Sequence, residues 1–326
     1  MIWLQMAKKE HSLRTMKRSG KILVLGVTAS GKGALGFELA RRLGGEIISV
    51  DSMKVYRRMD IGTAKPPPDK RRQIAHHVID VVEPSEAFSV DRFLELARGA
   101  AAQIQAAGKQ VVAVGGTAMY IKALLHGLFE GPASDAAIRR RLGEQIDQDG
   151  SAALHKRLTE VDPQAASRIH PNDRRRIVRA LEVFELTGTP ISALQQQWET
   201  QAASDWQVIG LRRPKEIESG RINSRVKRMV DEGLLDEVKR LLAEPQPMSK
   251  QARAAIGYAE VIAHLEGKCS FDQAVEQIKI NTRKLAKAQR TWFKTFRNTH
   301  WLDITETDTL ETVTEAAIEV AVSVNA

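Results

Sequence analysis

Gly26-Val27-Thr28-Ala29-Ser30-Gly31-Lys32-Gly33 has residue types that could hold a polyphosphate. Glycines let backbone N–H groups converge on an anion, a following helix adds the partial positive charge of its N-terminus, and a lysine supplies a point charge. The spacing follows G-x-x-x-x-G-K-[ST] except at its last place, where Gly33 replaces the hydroxyl that ligates Mg²⁺. By itself the stretch specifies a di- or triphosphate and no reaction, and a tight strand-to-helix turn without a ligand would use the same glycines. Asp51 is the second candidate. A carboxylate at the end of a strand beside a phosphate loop can act as a general base, as a cap or as a metal ligand. The third group is basic: Arg139, Arg140, Arg141, Arg174, Arg175, Arg176 and Arg179, then Lys279, Arg283, Lys287, Arg290, Lys294 and Arg297. The last six recur every three or four residues, as one stripe of a helix would. Such runs usually form a solvated face, but two separated basic helical faces suit a polyanion groove.

These residues need elements to position them. Ile22 to Leu25 is a buried strand by its unbroken apolar run, and residues 34–40 have helical spacing. A second strand, residues 46–50, delivers Asp51 and Ser52. Residues 60–68 hold three consecutive prolines and are expected to be irregular. His76 to Asp80 reads as a short strand, which sends His76 and His77 to opposite faces, so both are taken as structural. Ser89 caps a helix that stops near Gly108, and residues 111–114 form another buried strand before Gly115-Gly116-Thr117. No Walker-B aspartate follows it, which argues against an ordinary ATPase. From 134 to about 201 the pattern is purely helical, with Ile177, Leu181 and Phe184 as an apolar stripe and few acids opposite the arginines. Residues 206–211 return to strand. Helices are expected over 215–231, 234–243, 252–265 and 271–297, the last burying Ile278, Leu285, Trp292 and Phe296.

The alternation predicts an α/β fold: a P-loop NTPase-like parallel sheet with helices on both faces, an inserted all-helical subdomain and a helical C-terminal region. The expected division is a disordered basic arm at 1–19, a core domain at 20–133 with 205–302, a helical insertion at 134–204 and an acidic tail at 303–326. The chain has 326 residues, 43% of them hydrophobic and 27% charged, with a net charge of +9. That composition is globular, and the charge points to a polyanionic partner. The single cysteine, Cys269, excludes an intrachain disulfide and a cysteine-rich zinc site. No apolar run is long enough to span a membrane, and residues 1–19 lack the apolar core of a signal peptide; a cytoplasmic protein is expected, with Met6 and Met16 as alternative starts.

The sequence resembles the bacterial tRNA dimethylallyltransferases over roughly residues 21–302. Gly26 to Lys32 is similar to G-P-T-A-S-G-K, with Val27 for proline. Val50-Asp51-Ser52 to Tyr56 is similar to V-D-S-x-x-x-Y, and Met59 to Pro66 reads M-D-I-G-T-A-K-P. Val114 to Tyr120 fits V-G-G-T-x-x-Y. Arg168 to Asp173 with Arg176 and Arg179 to Val183 fits the family insert, and Arg221-Ile222 with Arg225 and Met229 fits R-I-x-x-R-x-x-x-M. Ile256-Gly257-Tyr258, Ala286-Lys287, Gln289 and Thr291-Trp292-Phe293 fit the C-terminal helices.

The resemblance implies transfer of a dimethylallyl group from dimethylallyl diphosphate to N6 of adenosine 37, just 3′ of the anticodon, in tRNAs reading codons that start with U. The products are i6A and diphosphate. It implies that Gly26, Thr28, Ala29, Ser30, Gly31, Lys32 and Gly33 bind the diphosphate, that Lys32, Thr28 and Arg221 stabilise the departing charge, and that Asp51 takes the N6 proton. It assigns tRNA contacts to Asp51, Ser52, Met53, Lys54, Thr117, Arg139, Arg175, Arg176, Arg179, Lys287, Gln289, Arg290, Trp292 and Lys294. The implied cofactor is Mg²⁺ with Thr28 as ligand, and the implied partner is the tRNA anticodon stem-loop, met by a monomer without a membrane. Gly33, Lys54, Ala254 and Ala288 depart from the family pattern. The last two remove basic contacts, for which Arg253 and Arg290 could compensate. Two other readings stay open: a small-molecule P-loop kinase, and a non-catalytic RNA-binding protein with a degenerate loop.

Overall fold

In the computed structural model, residues 20–128, 131–195 and 205–323 are described; the arm expected at 1–19 lies outside them. Strands β1 (Lys21–Gly26), β2 (Gly45–Val50), β3 (His76–His77), β4 (Gln110–Gly115), β5 (Trp206–Arg212) and β6 (Thr299–Asp303) form one sheet ordered β3-β2-β4-β1-β5-β6. Every neighbouring pair is parallel, and Val24 lies opposite both Val114 and Ile209. Strands this apolar must be covered on both faces. Their side chains divide by the period of two. Ile22, Val24, Ile47, Val112 and Ile209 enter one core, with Leu35 and Leu39 of α1 (Lys32–Leu43). Leu23, Leu25, Ile48, Val50, Val111 and Ala113 enter the other.

That second core is covered by α3 (Val90–Ala106), which follows the short α2 (Pro68–Gln73), and by helices from later in the chain. Ser89 caps α3 by accepting from the Arg92 amide at 3.2 Å, a bond worth about 1 kcal/mol in typical helices. After α4 (Ala118–His126) the chain leaves this unit. It returns at β5 and continues through α10 (Lys215–Asp231), α11 (Leu234–Leu242), α12 (Lys250–Arg253), α13 (Tyr258–Leu265) and α14 (Phe271–Phe293). The described residues up to Leu125 and from Asp205 onward form one compact unit.

The other unit, His126–Ser204, is helical where described. It holds α5 (Ala136–Asp149), α6 (Ser151–Val161), α7 (Pro163–Arg168), α8 (Arg174–Thr187) and α9 (Ile191–Leu194) around Leu142, Leu158, Ile177 and Leu181. Asp135, Asp162 and Asp173 cap three of its helices through backbone amides.

Five expectations are corrected. The strand at His76 ends at His77, because Val78 and Asp80 adopt left-handed φ of 58° and 55°. Pro68 is not in irregular structure but opens α2, where its missing N–H costs nothing. The helix expected over 252–265 is two, broken at Gly257, whose φ is +96°. The helix expected over 271–297 stops at Phe293, and its buried side chains step through Ala274, Ile278, Thr282, Ala286, Gln289 and Phe293. Leu285 is therefore 40% exposed and Trp292 half-buried. The expected acidic tail is structural: β6 pairs with β5, and α15 (Leu310–Ser323) adds Val313, Ala317 and Ala321 to the α1 core.

Candidate active site

The connection after β1 leads toward β2 on one side, whereas the chain after β4 eventually reaches β5 on the other. Such a reversal leaves a crevice at the C-terminal ends of the strands. The loop from Gly26 to Lys32 and the turn Gly115-Gly116-Thr117 flank it. A cavity of about 1220 Å³ opens there, lined among others by Thr28, Lys32, Asp51, Lys54, Thr117 and Arg221. All its lining residues belong to the sheet-bearing unit.

The loop is shaped for an anion. Gly31 takes φ +101°, Ala29 a left-handed φ of 62°, and the Ser30 amide closes the turn on the Val27 carbonyl at 3.1 Å. Among the described residues the amides of Gly31 and Gly33 meet no acceptor. Lys32 Nζ rests on the Val27 carbonyl at 3.1 Å. Across the crevice, Gln289 accepts from the Thr28 amide at 2.8 Å and donates to the Gly116 carbonyl at 2.8 Å. At the end of β2, Asp51 Oδ1 accepts the Met53 and Lys54 amides at 2.9 and 3.3 Å; Oδ2 is left for another donor. Thr117 Oγ1 accepts the Ser52 amide at 3.0 Å, which ties the β4 turn to the Asp51 segment.

Three arginines approach three consecutive loop residues. Arg225 donates to Thr28 Oγ1 at 3.2 Å, Arg221 to the Ala29 carbonyl at 2.7 Å and Arg213 to the Ser30 carbonyl at 2.9 Å. This concentration of positive charge has a cost. Removal from water, then Arg225 and Lys54, push the Lys32 ammonium down to about 7, against the opposing pull of Asp51. Lys54 and Arg225 are also held below their ordinary values, by burial first. A site that disfavours its own cations before a ligand arrives is suited to an anion.

The segment from Met59 to Pro66 borders the cavity at Gly62, Thr63 and Ala64. It is held from inside the protein. The buried Glu237 carboxylate accepts the amides of Asp60, Ile61 and Gly62 at 3.0, 2.9 and 3.3 Å, together with the Tyr258 hydroxyl at 2.6 Å. Burial and the Glu237 charge push the Tyr258 hydroxyl far above its usual value, so it remains a donor. Lys65 Nζ closes the segment on the Tyr56 carbonyl, Asp60 and Asp80 at 2.5, 2.7 and 2.5 Å. Nothing in the local sequence marks Glu237, which lies 175 residues from Gly62.

A family model described as IPP transferase matches residues 54–296. The chain belongs to the IPP transferase family. It is 46% identical to a tRNA dimethylallyltransferase of Geobacter metallireducens over 293 residues, 89% of this chain and 94% of that one. It is 44% identical to a tRNA dimethylallyltransferase of Geobacillus thermodenitrificans over 87% of this chain and 90% of that one. The crystal structure of a tRNA isopentenylpyrophosphate transferase from Bacillus halodurans superposes with a TM-score of 0.69 at 38% identity, covering 93% of this chain and 96% of that one. A eukaryotic dimethylallyltransferase acting on tRNA gives 0.75 at 28% identity, with 94% and 78% coverage. The family finding favours the transferase reading over the kinase and the degenerate RNA-binding protein.

Within this IPP transferase, the residues assigned to RNA by resemblance fall into distinct surroundings. Ser52, Met53, Lys54, Thr117, Gln289 and Trp292 line the cavity with Asp51. Gln289 is 8% exposed, however, and both ends of its amide are engaged inside the protein. Lys287 and Lys294 are exposed. Arg290 is instead paired with the buried Glu218, Lys279 with Glu276, and Arg283 with Asn223, so the basic stripe is not continuous. The helical unit needs a similar correction. The face carrying its arginines is not short of acids: Arg139 and Arg179 converge on Glu182, which is fully buried, at 2.9 and 2.8 Å. Burial would raise that carboxyl, but the two guanidiniums and the Asp135 amide outweigh it and hold it below its ordinary value. Arg176 lies 3.3 Å from Asp173, and Arg175 has no ion pair among the described residues. His76 and His77 are structural, bonded to the Ile74 carbonyl and to Glu46.

A divalent metal finds few donors on this chain. No cluster of three His, Cys, Asp or Glu that could hold one occurs among the described residues. Gly33 offers no hydroxyl, and Thr28 Oγ1 already faces the Arg225 guanidinium. Among the described residues the chain's own donors alone thus do not complete a divalent-metal site, and the oxygens of a bound diphosphate would have to supply most of the ligands.

Proposed function

We infer that this chain transfers the dimethylallyl group of dimethylallyl diphosphate to N6 of adenosine 37 in tRNA. The carrying observation is that the free amides of the phosphate loop, Lys32, Arg221 and the unengaged oxygen of Asp51 open on one cavity. The loop amides and Lys32 hold the diphosphate. As the C1–O bond breaks, its electron pair leaves with the diphosphate, and the fixed positive groups around the loop meet the growing negative charge. The N6 lone pair forms the new bond to C1, and Asp51 takes the N6 proton. Thr117, by fixing Ser52, keeps the Asp51 segment in place. An adenine inside the anticodon loop must leave its stack to reach the cavity. The exposed Arg175, Arg176, Lys287 and Lys294 suit RNA phosphates, whose recognition rests on shape and backbone charge.

The preference for tRNAs reading codons that start with U, a monomeric state and a cytoplasmic location belong to the same proposal. Among the described residues no helix is long and apolar enough to cross a membrane. Mg²⁺ would arrive with the diphosphate oxygens, and the loop hydroxyl of Thr28, which accepts one bond from Arg225 and keeps a second lone pair, would assist it. The test is a transfer assay with radiolabelled dimethylallyl diphosphate, Mg²⁺ and an unmodified anticodon stem-loop, with Asp51→Ala in parallel. Label in the RNA that drops about 10²- to 10⁴-fold with the variant is the expected result for loss of a general base. Salt-sensitive RNA binding without any label would sink the reading.

A further inference from the structure

The geometry points to Arg213 as a further catalytic cation for the departing diphosphate, acting beside Arg221; this rests on the transfer reaction inferred above. No motif of the family resemblance includes Arg213. It lies between β5 and α10, and its Nε donates to the Ser30 carbonyl at 2.9 Å while Nη1 donates to the Thr305 carbonyl at 3.1 Å. Those two bonds turn the remaining nitrogen toward the loop. A Cβ placed on Gly31 would stand 3.8 Å from Arg213 Nη2 and 3.7 Å from Arg221 Nη2. Two guanidiniums therefore bracket the glycine whose amide is unengaged.

Neither arginine has an ion pair among the described residues. The acid that acts on Arg213 is Asp308, which already accepts the Thr305 amide and hydroxyl, each at 2.7 Å. Arg221 and Arg213 repel one another across the loop. Like charges are held together here mainly by carbonyl bonds, an arrangement that an incoming dianion relieves. The same loop has Gly33 in place of a hydroxyl-bearing Ser or Thr, so cationic side chains carry more of the neutralisation.

A rival role for Arg213 is a strut joining the phosphate loop to the chain after β6. Arg213→Gln separates the two, since it can still donate to a carbonyl but has no charge. Pyrophosphate binding is measured by calorimetry in EDTA for wild type, Arg213→Gln, Arg213→Lys and Arg212→Ala. Arg212 is the control, bonded to Asp303 at 2.7 Å and stacked on Trp301. Thermal unfolding checks that each variant folds, and the stem-loop assay is run alongside. Loss of one charge-assisted bond weakens binding about 10- to 100-fold. We expect that loss in Arg213→Gln, partial rescue in Arg213→Lys and wild-type affinity in Arg212→Ala. Full affinity in Arg213→Gln overturns the assignment, even if the wild type transfers label. Wild-type pyrophosphate binding with no transfer would instead overturn the reaction, while a Gln-specific loss of affinity would still support Arg213 as an anion contact.

Discussion

Replacing Gln289 should loosen the site from beneath. Its amide joins the phosphate loop to the turn after β4, accepting from Thr28 and donating to Gly116. Both bonds are buried. A buried group left without its partner costs about 1–3 kcal/mol, so Gln289→Ala should lose roughly 2–6 kcal/mol if water does not replace both bonds. Against a typical stability of about 5–15 kcal/mol this is a large fraction. Gln289→Glu gives a sharper test. An ionised carboxylate still accepts from Thr28 but faces the Gly116 carbonyl with a second oxygen. Its protonated form donates there as glutamine does. The folded protein therefore favours the protonated form and raises this carboxyl above its unfolded value near 4.3. Stability linked to that proton is fully present below the unfolded value and is lost as pH rises through the folded one. The deficit relative to wild type should be smaller at pH 5 than at pH 8. Urea unfolding followed by tryptophan emission reads this, because Trp206, Trp292 and Trp301 lie in the sheet-bearing unit. If both variants stay within about 0.5 kcal/mol of wild type at both pH values, the clamp carries no weight and the reasoning fails.

Lys32, depressed to about 7, is largely neutral above that pH in the free protein, so binding a diphosphate must draw a proton onto it. Affinity for dimethylallyl diphosphate should then fall between pH 7 and 9 in wild type and stay flat in Lys32→Arg; parallel pH profiles would count against it. Gly33 is exposed, and a Cβ there meets no atom within 4 Å, so Gly33→Thr is accommodated. Its added hydroxyl should lower the Mg²⁺ concentration for half-maximal transfer several-fold; identical half-saturation in both proteins argues that position 33 contributes no ligand.

The strand, loop and helix around Gly26 were legible because their signals are local: an apolar run, then glycines, then helical spacing. The break at Gly257 was not, since periodicity runs straight through a residue that turns left-handed. Ile278, Leu285 and Trp292 recur every seven residues, but a single helix packed on a sheet drifts relative to that repeat. Its buried path moved to Gln289 and left Leu285 and Trp292 at the cavity. Arg179 and Glu182 are three apart and could have been paired on sight, whereas Arg139 reaches the same carboxylate across 43 residues. β6 is a five-residue edge strand, and the small side chains of Ala317 and Ala321 disguise the buried face of α15. The chemistry of the cavity was legible as residue types; its support by Glu237, Gln289 and Arg213 depends on separations that no local pattern encodes.

Those separations bear on how the protein acquires its active form. The phosphate loop is contacted by residues 183, 192, 197 and 261 positions downstream. Contacts of such high order form late and slowly, since the intervening chain must be ordered first. The first strand and helix could assemble early and still present a slack loop. Competence to bind diphosphate should therefore appear as one of the last events of refolding, well after the bulk of the helical signal has returned.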